Sequence, residues 1–174
     1  RKLDLITMVL NQYDNLVISK VNNYMNIRST PEDKGNENVI GKFPGNAAAE
    51  ILETLDGWYK ITSGGITGYI SADPQYTATG QEAKDLAVKS ASLMAIVRTD
   101  KLNVRTEPSL DAEKWTQISK EERYPVLEQL DGWVQIELDT EDSDGAFIST
   151  RDNNVEVRYA LNEAIKFSPL EVGS

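Results

Sequence analysis

The sequence predicts an all-β protein made of two copies of one small antiparallel barrel, with a short helix in front and a second helix between the copies. Two observations carry that prediction. The chain repeats itself: Leu55-Asp56-Gly57-Trp58 returns as Leu130-Asp131-Gly132-Trp133, 75 positions later. Upstream, Met25-Asn26-Ile27-Arg28 with Pro31 returns as Leu102-Asn103-Val104-Arg105 with Pro108, at an offset of 77, and downstream Gly68-Tyr69-Ile70-Ser71 returns as Ala146-Phe147-Ile148-Ser149, at 78. The order of elements is kept while loops change length, so the unit is a duplicated domain. Within each copy the apolar segments are short, evenly spaced and punctuated by glycine turns, the pattern of a small barrel.

Taken in order, residues 1–15 form an N-terminal helical segment, because Leu3, Ile6, Leu10 and Tyr13 recur at helical spacing with Leu5 and Val9 beside them. Residues 16–79 form the first barrel. Val17 to Val21, Val39 to Phe43 and Ala49 to Leu55 read as strands, the last stopped by the Asp56-Gly57 turn signal. Trp58 to Ile61 and Thr67 to Ser71 flank Ser63-Gly64-Gly65, a turn rich in residues that accept positive φ. With the two glycines at the tip, Tyr59 pairs with Ile70 and Ile61 with Gly68. Side chains alternate along a strand, so Tyr59, Ile61 and Ile70 face the core while Trp58, Lys60, Tyr69 and Ser71 share the opposite face. Thr79-Gly80-Gln81-Glu82 fits a capping box that opens a connector helix over residues 80–91. Residues 92–167 repeat the barrel, with Val134, Ile136 and Ile148 inward and Trp133, Gln135 and Phe147 outward. Val155, Val157 and Tyr159 alternate as its final strand, and residues 168–174 have linker composition.

Composition narrows the chemistry. Length alone allows one or two domains among 174 residues, and the repeat decides for two. A barrel of about 60 residues buries only about 60% of its unfolded surface and gains from a neighbour. The net charge of −10 argues against nucleic acid, since nothing forms a basic stripe. Acidity is uneven: residues 1–80 carry 7 basic and 9 acidic side chains, residues 81–174 carry 11 and 19. There is no cysteine and no histidine, which removes disulfides, thiolate nucleophiles, imidazole bases and the usual zinc ligands within this chain. No apolar run approaches the ~18 residues of a membrane span, so no membrane insertion is expected. Thr140 to Gly145 echoes a calcium loop, but the first and twelfth positions are Thr140 and Arg151 where carboxylates are required, so it reads as a solvated hairpin tip. No metal and no cofactor are expected.

The asparagine–aliphatic–arginine runs, the Asp-Gly-Trp turns and the aromatic–aliphatic–serine closes resemble the bacterial SH3 (SH3b) domain. The first copy matches more fully, with Ile40-Gly41-Lys42 and Gly68-Tyr69-Ile70-Ser71. The second departs at Trp115-Thr116-Gln117 and at Ala146. The resemblance implies two SH3-like barrels in a secreted, extracellular or wall-associated protein. Such tandems commonly precede a cell-wall peptidase, often of the NlpC cysteine type. It implies a non-catalytic module that binds peptidoglycan or its stem peptides. Its alternatives are an intramolecular scaffold that gates a downstream peptidase, or a free-standing protein-interaction module. On this reading the frame is expected to continue past Ser174 into a C-terminal peptidase domain of ordinary size, about 100–150 residues, preceded by a signal peptide upstream of Arg1.

The candidate ligand-binding residues are Trp58, Tyr69 and Arg28 in the first copy and Trp133, Phe147 and Arg105 in the second. Aromatic platforms suit sugars and peptides, and equally suit packing between small domains. Arg28 and Arg105 fit either a peptide carboxylate held bidentately or pairing with a local carboxylate or a loop carbonyl. Asn26 and Asn103, also repeated, fit a ligand role or a loop tie.

Overall fold

A computed structural model describes residues 2–138 and 145–166 of the chain. It is mostly antiparallel sheet, in two compact units: residues up to Ala91 together with those from Leu161, and Ser92–Ala160. In the first unit, α1 (Lys2–Leu10) is followed by β1 (Leu16–Ser19), β2 (Tyr24–Arg28), β3 (Val39–Pro44), β4 (Ala48–Leu55), β5 (Trp58–Ser63), β6 (Ile66–Ser71), β7 (Thr77–Thr79) and α2 (Gly80–Ser90). The second unit holds β8 (Ser92–Val97), β9 (Lys101–Arg105), β10 (Lys114–Ser119), β11 (Arg123–Leu130), β12 (Trp133–Ile136), β13 (Phe147–Ser149) and β14 (Val155–Ala160); β15 (Ile165–Lys166) follows.

The strand orders establish the duplication. The second sheet runs β10-β9-β13-β12-β11-β8-β14, and the first runs β15-β3-β2-β6-β5-β4-β1-β7. Replacing each strand by its repeat counterpart gives the same order, with β15 as the addition. Even the irregularities recur: β4 carries a register shift between Ile51 and Glu53, and β11 one between Val126 and Glu128. The glycine hairpin has the predicted register, Tyr59 opposite Ile70 and Ile61 opposite Gly68. Gly64 and Gly65 form its two-residue tip with φ of 56° and 83°, the mirror-image turn that suits twisted strands.

Alternation then sorts the faces. Ile61 and Ile70 are fully buried with Val17, Ile27 and Phe43 in the first core. Val104, Val134, Ile136 and Ile148 form the second. A satellite layer in the first unit buries Ile6 and Val9 of α1 and Ala83 and Ala87 of α2, leaving Leu5 and Met8 on the solvent side of α1.

Two sequence expectations change. The capping box does not form. Thr79 belongs to β7, opposite Val17, with extended backbone (φ −132°, ψ 174°) and no side-chain cap bond, and Glu82 instead meets the Lys20 ammonium at 3.0 Å. The segment 161–166, assigned from sequence to the second barrel, lies with the first: Ile165 pairs with Lys42 and Lys166 with Gly41 on the outer edge of β3. Polar contacts fasten this strap. Ala48 N–H donates to Asn162 O (2.8 Å), and Ala164 N–H donates to Ser63 Oγ (2.9 Å), which itself donates to Ala48 O (2.6 Å). The Glu163 carboxylate accepts from Gly64 N–H (2.7 Å) and from Tyr13 OH (2.5 Å). Period-2 patterning could not place a two-residue strand held largely by such contacts. The acidic hairpin tip at 139–144 and the linker at 168–174 lie outside the described residues.

A groove on the outer face of the first barrel

Residues 24, 26 and 28 of β2 share one face by strand alternation. Arg28 stands opposite Tyr69, Tyr69 opposite Lys60, and Trp58 opposite Ser71. This is the polar–aromatic face expected from the sequence. It opens into a groove of about 620 Å³ lined by Val21, Asn23, Tyr24, Met25, Asn26, Arg28, Asp33, Trp58, Ser71 and Tyr76. Tyr24 and Tyr76 are 49% and 41% exposed. The Lys42 ammonium sits 4.9 Å from the centre of the Tyr24 ring, a cation–π contact that holds the ring at the rim.

Arg28 is buried, and its guanidinium is committed to the loop 29–38. Nη1 donates to Gly35 O (2.6 Å) and Asn38 Oδ1 (2.9 Å), and Nη2 lies 3.2 Å from Asp33 Oδ1. Asn38, also buried, donates onward to Thr30 Oγ1 (2.9 Å) and Glu32 O (2.8 Å). These bonds make one wall of the groove a fixed structure and neutralise Asp33. By contrast, the side chains of Asn23, Tyr24, Asn26, Trp58 and Tyr76 make no hydrogen bond within the protein among the described residues. All five line the groove, three of them with aromatic rings.

In the second barrel the counterpart residues are used differently. Arg105 Nη1 donates to Ala112 O (3.0 Å), again tying its loop. Asn103 Oδ1 accepts from Gln117 Nε2 (2.9 Å). Phe147 stands opposite Gln135 and Arg105, but Trp133, expected on the outward face with it, is only 5% exposed. A separate, smaller groove of about 340 Å³ is lined by Thr106, Glu113, Lys114, Trp115 and Gly145. Of the six residues singled out in the sequence, the structure brings Arg28 and Trp58 together in the larger groove, with Tyr69 adjoining on β6. Tyr24 and Tyr76 were missed. The spacing of Tyr24 to Asn26 and Arg28 could have signalled the first, whereas Tyr76 arrives from a loop with no periodic signal.

The second barrel also carries a charge network. Arg98 Nη1 bonds both Glu121 oxygens (3.0 and 3.1 Å), its Nη2 bonds Glu156, and Arg158 Nη1 reaches Glu156 at 3.4 Å. The hydrogen bond from Arg98 holds the Glu156 carboxyl below the usual carboxylate range. A carboxylate lowered in the folded state stabilises above its unfolded value, and that contribution is lost as pH falls through the folded value. Glu156→Gln is therefore expected to cost under about 1 kcal/mol at pH 7, the pair being partly exposed. The difference from the parent should be smaller at about pH 3, below the ordinary carboxylate value, and should vanish only below the lowered folded value. Urea unfolding at both pH values checks this, and an undiminished difference in acid would refute the charge origin.

Among the described residues no group of three or more carboxylates could hold a metal ion, and no helix is long and apolar enough to cross a membrane. The family model for the bacterial SH3 domain matches residues 23–73 and 100–154, together more than half of the chain. A protein of Bacillus subtilis (strain 168) named for an N-acetylmuramoyl-L-alanine amidase, YrvJ, is 32% identical over 104 residues, which are 58% of this chain and 20% of that protein. The chain thus matches about one fifth of that relative. The solved structure of NlpC2 from Trichomonas vaginalis aligns with 82% of this chain and 47% of its own, at 14% identity and a TM-score of 0.32, too loose a superposition to argue from.

Proposed function

Because this chain belongs to the bacterial SH3 domain family, which it carries in two copies, we propose that it is a non-catalytic module that binds the bacterial cell wall and holds a wall hydrolase there. The observation that carries this reading is the groove of the first barrel, where three aromatic rings and several unpartnered polar tips meet in the open. Aromatic rings that reach solvent in this way are suited to flat sugar faces and peptide planes. The similarity to a protein named for an amidase supports an association with wall hydrolysis. The catalytic partner would be a domain of that kind, the NlpC-type peptidase of the sequence analysis being one candidate. A secreted or wall-bound location follows from the same reading. The chain itself, lacking cysteine and histidine, is expected to release no wall fragments.

Co-sedimentation with purified insoluble peptidoglycan tests the proposal. The parent chain is expected in the pellet. Trp58→Ala and Tyr24→Ala, checked for retained β-structure by circular dichroism, should bind about 30-fold more weakly, the loss of a typical central aromatic anchor worth ~2 kcal/mol. A parent chain that stays in the supernatant would refute wall binding.

A further inference from the structure

Resting on the wall-binding reading, we infer that the chain is monovalent. Among the described residues it has one ligand site, in the first barrel, shaped for an amide-bearing wall fragment, while the corresponding face of the second barrel is closed. The duplication allows a position-by-position comparison within one molecule. Tyr24 opposes Pro44 at the start of β2, as Lys101 opposes Ser119 at the start of β9. The groove ring at 24 is therefore a lysine in the second copy. Tyr76 accepts from Lys20 N–H at 2.8 Å through its carbonyl, and Asn154 accepts from Arg98 N–H at 2.8 Å in the same way. The ring at 76 is therefore an asparagine. The third ring, Trp58, has a counterpart in Trp133, but that indole is buried. The carboxamide of Asn26 is unpartnered, whereas that of Asn103 accepts from Gln117. Each change removes one recognition element, and the four together dismantle the face.

The chemistry of the open site follows from what remains unpaired. The carboxamides of Asn23 and Asn26 each present a donor and an acceptor, the complement of a secondary amide. Arg28 and Asp33 are paired with each other, so neither is free to select a charged group, and the open carboxamides set the preference for a neutral amide. Secondary amides occur both in the N-acetyl groups of the glycan and in the stem peptide, and the groove suits either source.

Titration calorimetry of the whole chain with muramidase-released disaccharide-peptide fragments tests the inference. One fragment per chain is expected. Tyr24→Lys combined with Tyr76→Asn, which copies the second barrel into the first, should weaken binding at least 30-fold, while Lys101→Ala leaves it unchanged. Competition by the peptide-free N-acetylated disaccharide or by the free stem tetrapeptide identifies the source of the amide. Competition by neither overturns amide recognition. Two equivalent sites, or a loss of binding in Lys101→Ala, overturn monovalency while leaving wall binding intact. Failure of the parent chain to bind either fragments or whole wall overturns both.

Discussion

A chain that stops at Ala160 is expected to lose about 2–3 kcal/mol from its first barrel, a fall in melting midpoint of roughly 10–20 °C for a unit of this size. The strap 161–166 is short, but it buries Leu161 and Ala164 completely. Burying a leucine contributes ~2 kcal/mol, with about half that again from the alanine and the half-buried Ile165. The neutral hydrogen bonds to Ala48, Ser63 and β3 contribute about 1 kcal/mol each, and the two to the Glu163 carboxylate about 1.5–3 together with their burial. Against this stands the ordering of six residues at ~1 kcal/mol each, about 6 in all, which leaves the small net figure above. Calorimetry compares the two lengths, and hydrogen exchange locates the effect. The amides of β3 and of Gly64 should lose protection in the shorter chain. Equal midpoints with unchanged exchange would show that the strap only rests on the barrel.

Gly64→Ala should cost about 3–5 kcal/mol. Two effects add. At φ of 56° a β-carbon costs ~1–2 kcal/mol. An added Cβ would also lie 2.1 Å from the carbonyl oxygen of Ala164, a backbone atom that can yield only by lifting the strap. Gly57 provides the control. Its φ is 80°, yet nothing lies within 4 Å of its missing Cβ, so Gly57→Ala should cost only ~1–2 kcal/mol, the backbone component alone. In the chain cut at Ala160 the cost of Gly64→Ala should fall to that of Gly57→Ala, a coupling of about 2 kcal/mol of the kind expected for residues in contact. Denaturant unfolding of the four chains measures it. Equal costs for the two glycines in the full-length chain would refute the account of why Gly64 is glycine.

The barrels were legible in the sequence because their information is local. The Ser63-Gly64-Gly65 turn set the hairpin register, and the register set which of Trp58 and Tyr59 faces solvent. The binding face was half legible for the same reason. Alternation placed Trp58, Lys60 and Tyr69 together, but it could not say that Arg28 spends its donors on Gly35 and Asn38, since that depends on how the loop 29–38 closes. Nor could it separate Trp58 from Trp133. The two tryptophans occupy the same repeat position and differ only in burial, which belongs to tertiary packing. The capping box failed because the demands of β7 on Thr79 outweighed a motif that is sound in isolation. The strap escaped notice because a two-residue strand has no period, and its partners lie about 100 residues away.

The position of the strap imposes an order on synthesis. Strands β1–β7 leave the ribosome before β15, which cannot reach β3 until residues 92–160 have also been made. At ~5–20 residues per second that interval is roughly 4–15 s. Throughout it the nascent first barrel presents β3 with one backbone edge unpaired, the condition under which neighbouring chains add strands to one another. The edge is not undefended. Lys42 and Pro44 stand on β3, a charge and a missing amide donor of the kind that discourage intermolecular pairing. Closure of the first barrel thus waits on a segment made after the whole of the second, and crowding on a polysome, more than stability at equilibrium, becomes the hazard its edge residues answer.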